Sequence, residues 1–248
     1  MKIKDRVALV TGSGQGLGKA IAFALANEGA KLAINDISQN EVKARETVSE
    51  LRKIGTDAEV FLADVTQENE VNKMVEEILA RFGRIDILVN NAGINRDGLI
   101  HKGNLQNWNA VMNVNLTGPF ICTKAVLPSM RQNNYGRIVN ISSLTARLGI
   151  SGTGYYASAK SGLIGLTKVT AVENMSKGIT CNALAPGYIK TDMMMKYPEE
   201  QLQALIARIP AGRLAEPAEI ADVAVFVAAD SASYMTGAVI DINGGYFI

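Results

Sequence analysis
Only one histidine, His101, and two cysteines, Cys122 and Cys181, occur in the 248 residues of this chain. The first scarcity excludes any mechanism that needs a pair of histidines. The second leaves no spacing suited to a metal, and none is expected. Both thiols lie in apolar runs, so they should be buried and free, as in a reducing compartment, rather than joined in a disulfide. No apolar run reaches the roughly 18 residues of a membrane span. The opening MKIKDRVALV lacks a basic stretch, a long apolar stretch and a small-residue cleavage site, so a signal peptide is not expected. Neither sign of charge is in excess: 25 Lys and Arg stand against 24 Asp and Glu, a formal +1. The basic residues are scattered, which gives no footprint for nucleic acid. No repeat or low-complexity linker divides the chain. These absences predict a cytoplasmic protein, of a length suited to one large α/β domain or two small ones.

What the chain does contain is alternation. Short apolar runs at 6–12, 31–36, 58–64, 85–93, 136–142, 179–187 and 238–244 read as strands. Between them, 17–28, 40–54, 67–82, 105–131, 155–176 and 216–229 read as helices. In 67–82, Val71, Met74, Val75, Ile78, Leu79 and Phe82 recur at three- and four-residue steps, the buried stripe of a helix. Strands that are nearly all apolar imply burial on both faces, hence a parallel sheet covered by helices. End-to-end alternation predicts one doubly wound α/β domain over 1–248, with seven parallel strands. Residues 188–215 are irregular and long enough to be an insertion over a site. Tyr188, Met193, Met194, Met195 and Tyr197 in it form a flexible apolar set, suited to covering a nonpolar substrate or equally to packing on neighbouring helices.

Residues 11–18, directly after the first strand, read TGSGQGLG. Gly12, Gly16 and Gly18, interleaved with Gln15 and Leu17, leave no side chain between the backbone and a pyrophosphate, and the next helix presents free N–H groups to it. A glycine triplet alone would fit any tight strand–helix turn. Position decides: strand before, helix after, and a second strand ending in Asp36, eighteen residues beyond Gly18. A carboxylate there can accept hydrogen bonds from an adenosine ribose and repels a 2′-phosphate. Gln15 and Ile37 add no positive charge for such a phosphate. The cofactor expected is therefore NAD(H) and not NADP(H). The plainer role for Asp36 is that of a strand-end turn residue.

The Gly-x-x-x-Gly-x-Gly spacing, NNAG at 90–93, Tyr-x-x-x-Lys at 156–160 and PG at 186–187 together resemble the short-chain dehydrogenase/reductase family over essentially the whole chain. GINRDGLI at 93–100, VNLTG at 114–118, GRIVNISS at 136–143 and the INGG ending are most similar to its β-ketoacyl reductase (3-oxoacyl-ACP reductase-like) branch. The resemblance implies a Rossmann fold and a nicotinamide-linked oxidoreductase. It implies that Asp64 and Val65 meet the adenine, and that Asn91, Ala92 and Gly93 pass under the adenosine side. Pro186, Gly187, Ile189 and Thr191 match the segment that holds the nicotinamide and its carboxamide. Asn115 matches the family's helix asparagine, and Ser143 its catalytic serine. The family also implies a homotetramer built from the helices near 105–131 and 155–176 and from the C-terminal segment, whose apolar tail suits a contact surface.

Hydride reduction of a ketone leaves an alkoxide that must be protonated, and oxidation runs that step backward. A phenol of pKa near 10 is a poor partner at neutral pH unless its anion is stabilised. A neighbouring ammonium does so, helped by the positive oxidised nicotinamide. On a helix, Tyr156 and Lys160 lie about 40° apart in projection, whereas Tyr155 and Lys160 lie about 140° apart. Tyr156 is the expected acid–base group, and Tyr155 is left to packing or the pocket rim. Lys160 can also bind the nicotinamide ribose, and Ser143 can hydrogen-bond the substrate oxygen. Asn115 has a role open to it in carrying a water to Lys160, or in satisfying a kinked helix backbone. Ser142, Asn113 and His101 are not expected to take part, and Arg137 and Lys177 read as solvated surface charges.

Carrier-protein reductases of the branch commonly use NADP(H) and an arginine just before the GRI strand. This chain has Asp36, and QNNYG at 132–136. An NAD-linked dehydrogenase of a secondary alcohol or a 3-hydroxyacyl thioester fits better than a 3-oxoacyl-ACP reductase of fatty-acid synthesis. A polyol, cyclic alcohol or steroid remains open as substrate. A non-catalytic NAD-sensing protein on the same fold would be expected to lose one of Asn115, Ser143, Tyr156 and Lys160, and all four are present.

Overall fold
The computed structural model describes residues 3–96, 98–191 and 194–248, apart from the side chain of Lys196. Apolar runs become seven strands: β1 (Val7–Val10), β2 (Lys31–Asp36), β3 (Ala58–Leu62), β4 (Ile87–Asn90), β5 (Gly136–Ile141), β6 (Ile179–Pro186) and β7 (Val239–Ile242). They form one sheet in the order β3-β2-β1-β4-β5-β6-β7, with every pair parallel. Side chains of a strand alternate between faces, and both faces are covered. Ala8 and Val10 pack with Ile21 and Leu25 of α1 (Gly16–Asn27) and Ile220 and Ala224 of α8 (Pro217–Ala228). Val7 and Leu9 face Met74 and Ile78 of α3 (Glu68–Phe82) and Cys122 and Val126 of α5 (Gly118–Gln132). α2 (Glu41–Lys53) and α6 (Gly154–Asn174) complete the crossovers that frame the site. This is the expected doubly wound Rossmann sheet.

Two elements depart from the expected pattern. The helix expected over 105–131 is broken into α4 (Leu105–Met112) and α5 by a π-helical turn at Asn113–Thr117. Within 188–215 a further helix, α7 (Glu199–Ile206), forms. Its Leu202 packs with Ile209 and Leu214 against Tyr188, Met194 and Tyr246, so part of that apolar set packs on its own segment. Met193 lies outside the described residues.

Arg137 corrects another expectation. It is 4% exposed, not solvated, because β5 is buried on both faces. Its guanidinium donates to the carbonyls of Gly136 and Gly178, pairs with Asp230 and stacks on Tyr135.

The strand order reverses between β1 and β4. A crevice therefore opens beyond the carboxyl ends of those strands, the usual ligand position in such sheets. The glycine turn leaves β1 there, and Asn91–Gly93 leaves β4.

Candidate active site
The glycine turn is shaped by close approach. A Cβ on Gly18 would lie 2.4 Å from both Asn91 Nδ2 and Gly12 O, so no side chain fits. Gly16 has φ +58° with open space beyond it, leaving the backbone bare on the crevice side. The N-terminus of α1 has no side-chain cap and no acid in its first turn, so its free N–H groups suit a phosphate. Asn91 braces the turn by donating to Thr11 O at 2.9 Å and Gly12 O at 3.0 Å.

This turn borders a cavity of about 690 Å³ that also takes in Asp36, Ile37, Asp64, Val65, Ala92 and Gly93. The predicted adenosine-side residues are thus brought together. Asp36 is 6% exposed, and three protein donors already reach its carboxylate: Gly14 N at 3.0 Å, Ile37 N at 2.9 Å and Asn40 Nδ2 at 2.8 Å. It serves as the turn residue that the plainer expectation described while facing the cavity. Asp64 is likewise tied into a local turn, accepting from Thr66 N and Oγ1. Lys43, from α2, was not foreseen. It lines the same cavity and donates to Gln15 Oε1 at 2.5 Å. Its place depends on how α2 crosses the turn, and no motif marks it.

A second cavity, about 580 Å³, shares Leu17, Asn91, Gly93, Ile94 and Thr191 with the first. Ser143, Tyr156 and Lys160 meet on it, and Pro186, Gly187 and Ile189 line it as well. Tyr156 and Lys160 are one turn apart on α6, and Lys160 Nζ lies 5.5 Å from the Tyr156 ring centroid. Lys160 is 2% exposed and donates to Ile141 O at 2.7 Å; burial brings its pKa down to about 8. Tyr155 points the other way. Its hydroxyl accepts from Asn104 N at 2.8 Å and its ring meets Trp108 edge-on, so it packs as expected. Ser142 is structural too, donating to Lys160 O at 3.0 Å.

Asn115 is buried behind this cavity rather than lining it. Its amide donates to Ile94 O at 2.8 Å and Val111 O at 3.0 Å and accepts from Ile94 N at 3.1 Å. It thereby satisfies the α4 backbone just ahead of the π-turn and fixes the chain beside Gly93. The cavity also takes in Asn95, Thr145, Thr153, Gln201 and Leu205, which spacing did not single out. Among the described residues lining it, Lys160 is the only charged one.

Elsewhere, a groove of about 670 Å³ between α2 and β3 carries Arg45, Arg52, Lys53 and Glu59 and none of the predicted residues. Cys122 and Cys181 are free and buried, and burial pushes both thiols up to about 12. Among the described residues there is no cluster of three or more His, Cys, Asp or Glu suited to a metal ion. No helix there is long and apolar enough to cross a membrane.

Residues 12–247 match the family described as enoyl-(acyl carrier protein) reductase. The chain is 41% identical to the 3-oxoacyl-[acyl-carrier-protein] reductase FabG of Thermotoga maritima, over 100% of both chains. It is 44% identical to the (2S)-[(R)-hydroxy(phenyl)methyl]succinyl-CoA dehydrogenase subunit BbsD of Thauera aromatica, over 99% of this chain and 98% of that one. Its fold is similar to that of levodione reductase, with a TM-score of 0.93 and 37% identity over 98% of each chain.

Proposed function
This chain belongs to the short-chain dehydrogenase/reductase family and is an oxidoreductase; from that premise we propose that it moves a hydride between NAD(H) and a secondary alcohol or ketone carried as a 3-hydroxyacyl or 3-oxoacyl thioester. The observation that carries this reading is the meeting of Ser143, Tyr156 and Lys160 on a cavity continuous with the glycine-turn groove. When bound, the nicotinamide supplies or accepts the hydride. Gly12 to Gly18 and the start of α1 would hold the pyrophosphate, Asp36 the ribose, and Pro186, Gly187, Ile189 and Thr191 the ring.

Tyr156 gives its phenolic proton to the substrate oxygen in reduction and takes it back in oxidation. Ser143 holds that oxygen by a hydrogen bond. The Lys160 ammonium favours the phenolate and binds ribose hydroxyls. Asn115 supports a proton path to Lys160 by fixing the backbone beside it.

Two further points support the choice of ligands. The Asp36 carboxylate is nearly buried, whereas Lys43 is exposed and screened by water, so the carboxylate outweighs the lysine in its effect on a 2′-phosphate. A free substrate carboxylate would find no cation among the described residues lining the catalytic cavity besides Lys160. Neutral groups such as Asn95, Thr145, Thr153 and Gln201 suit a thioester carbonyl. One relative is named for a CoA thioester and another for a carrier-protein thioester, which supports the same acyl class. The two buried free thiols fit a cytoplasmic location.

The test is a panel of ketones with NADH: acetoacetyl-CoA, the matching carrier-protein thioester, free acetoacetate and a cyclic diketone. Thioesters should give the highest kcat/KM. Better turnover of the free acid or the diketone would overturn the substrate assignment, and an inert enzyme on every member would overturn the reaction.

A further inference from the structure
Ser143 follows β5 with extended backbone, φ −163° and ψ 155°, and its Oγ caps the short 3-10 turn Leu144–Ala146. Two groups of one residue reach that oxygen: Thr145 N at 3.2 Å and Thr145 Oγ1 at 3.0 Å. A hydroxyl oxygen has two lone pairs and one hydrogen. The backbone N–H can only donate, so one lone pair is occupied.

We infer that the Thr145 hydroxyl donates into the other lone pair, which makes Thr145 a positioning residue that leaves Ser143 only its hydrogen to offer the substrate oxygen. Both residues line the cavity shared with Tyr156 and Lys160, so that hydrogen is directed where the carbonyl must bind. A hydrogen bond received by a hydroxyl also strengthens the one it gives. Without Thr145 the serine hydroxyl could rotate and accept or donate. With it, only the donating orientation satisfies every atom. The opposite polarity, Ser143 donating to Thr145 Oγ1, would withdraw the serine's hydrogen from the reaction, and it predicts the opposite kinetic result. This inference rests on the reading of Ser143 given above.

Thr145→Val tests it, because valine keeps the branched shape and the backbone N–H and removes only the hydroxyl donor. Reduction of acetoacetyl-CoA by NADH is followed through NADH absorbance, and NADH affinity through its fluorescence. For Thr145→Val, kcat should fall about tenfold, the loss of about 1.4 kcal/mol from one hydrogen bond, with KM and NADH affinity nearly unchanged. Thr145→Ser should recover most of that rate. In a Ser143→Ala background the valine substitution should add nothing, since the two residues act as a unit.

Three results would overturn the inference while leaving the role of Ser143 standing. Thr145→Val could match or exceed the wild type while Ser143→Ala is impaired. It could lose NADH binding along with rate, or its loss could persist undiminished beside Ser143→Ala. An unimpaired Ser143→Ala would instead remove the reading of the serine itself, and this inference with it.

Discussion
Replacing Lys160 by methionine should stabilise the fold while abolishing turnover. The ammonium is buried, and burial lowers its pKa from the ordinary 10.5 to about 8. At about 1.4 kcal/mol per pH unit, that change corresponds to about 3 kcal/mol of destabilisation wherever both folded and unfolded chains carry the charge. Methionine keeps an unbranched apolar stem but leaves Ile141 O without the charged donor now 2.7 Å away, a loss of about 2 kcal/mol. The net gain at pH 7 should be about 1 kcal/mol.

The pH dependence has a definite sign. Unfolded, the lysine keeps its proton up to 10.5; folded, it gives the proton up above about 8. Between those values unfolding takes up a proton, so wild-type stability rises with pH. Below about 8 the penalty is complete, and above 10.5 it is gone. The advantage of Lys160→Met should therefore be largest near neutrality and mostly lost by about pH 10. Urea denaturation of both proteins without cofactor, at one protein concentration and at both pH values, reads this directly. A variant less stable than wild type at neutral pH, or a stability difference that does not change with pH, would refute the argument that burial sets the charge of Lys160.

Three other outcomes are expected. Tyr156→Phe should keep its stability and NADH binding but lose turnover by orders of magnitude. Tyr155→Phe should keep most of its activity and lose about 1 kcal/mol of stability, since Asn104 N loses its acceptor; comparable rate losses in the two variants would break the assignment. Wild-type kcat/KM should be much higher with NAD(H) than with NADP(H), and Asp36→Ala with Ile37→Arg should move the preference towards NADP(H). A wild-type preference for NADP(H) would show that Lys43 outweighs the carboxylate. Light scattering should give a tetramer mass, because Phe120 and Val169 lie exposed beside the α5–α6 groove and Val172, also on α6, is 84% exposed; Val172→Glu should dissociate it, and a monomeric wild type would remove the proposal.

The strands, the parallel sheet and the glycine turn were legible in the sequence because each is written within a few neighbouring residues. Alternation of short apolar runs with amphipathic ones, a strand leading into glycines, and an acid at the end of the second strand all survive without knowledge of distant contacts. The same holds for Tyr156 and Lys160, which one helical turn places together whatever α6 packs against. Tertiary structure decided the contacts between elements far apart in the chain. Asn115 spends its amide on Ile94 as well as on Val111 one helical turn before it, and Arg137 is buried because β5 lies inside the sheet with Gly178 and Asp230 brought beside it. Lys43 reaches Gln15 only because α2 crosses above the turn. Thr145 is near Ser143 in sequence, yet its importance depends on a cavity that β5, α6 and the segment after β6 enclose together. Local periodicity fixes an element and its faces, but which faces meet, and so which polar atoms lose water and must find partners, is settled only when the crossovers bring the elements together.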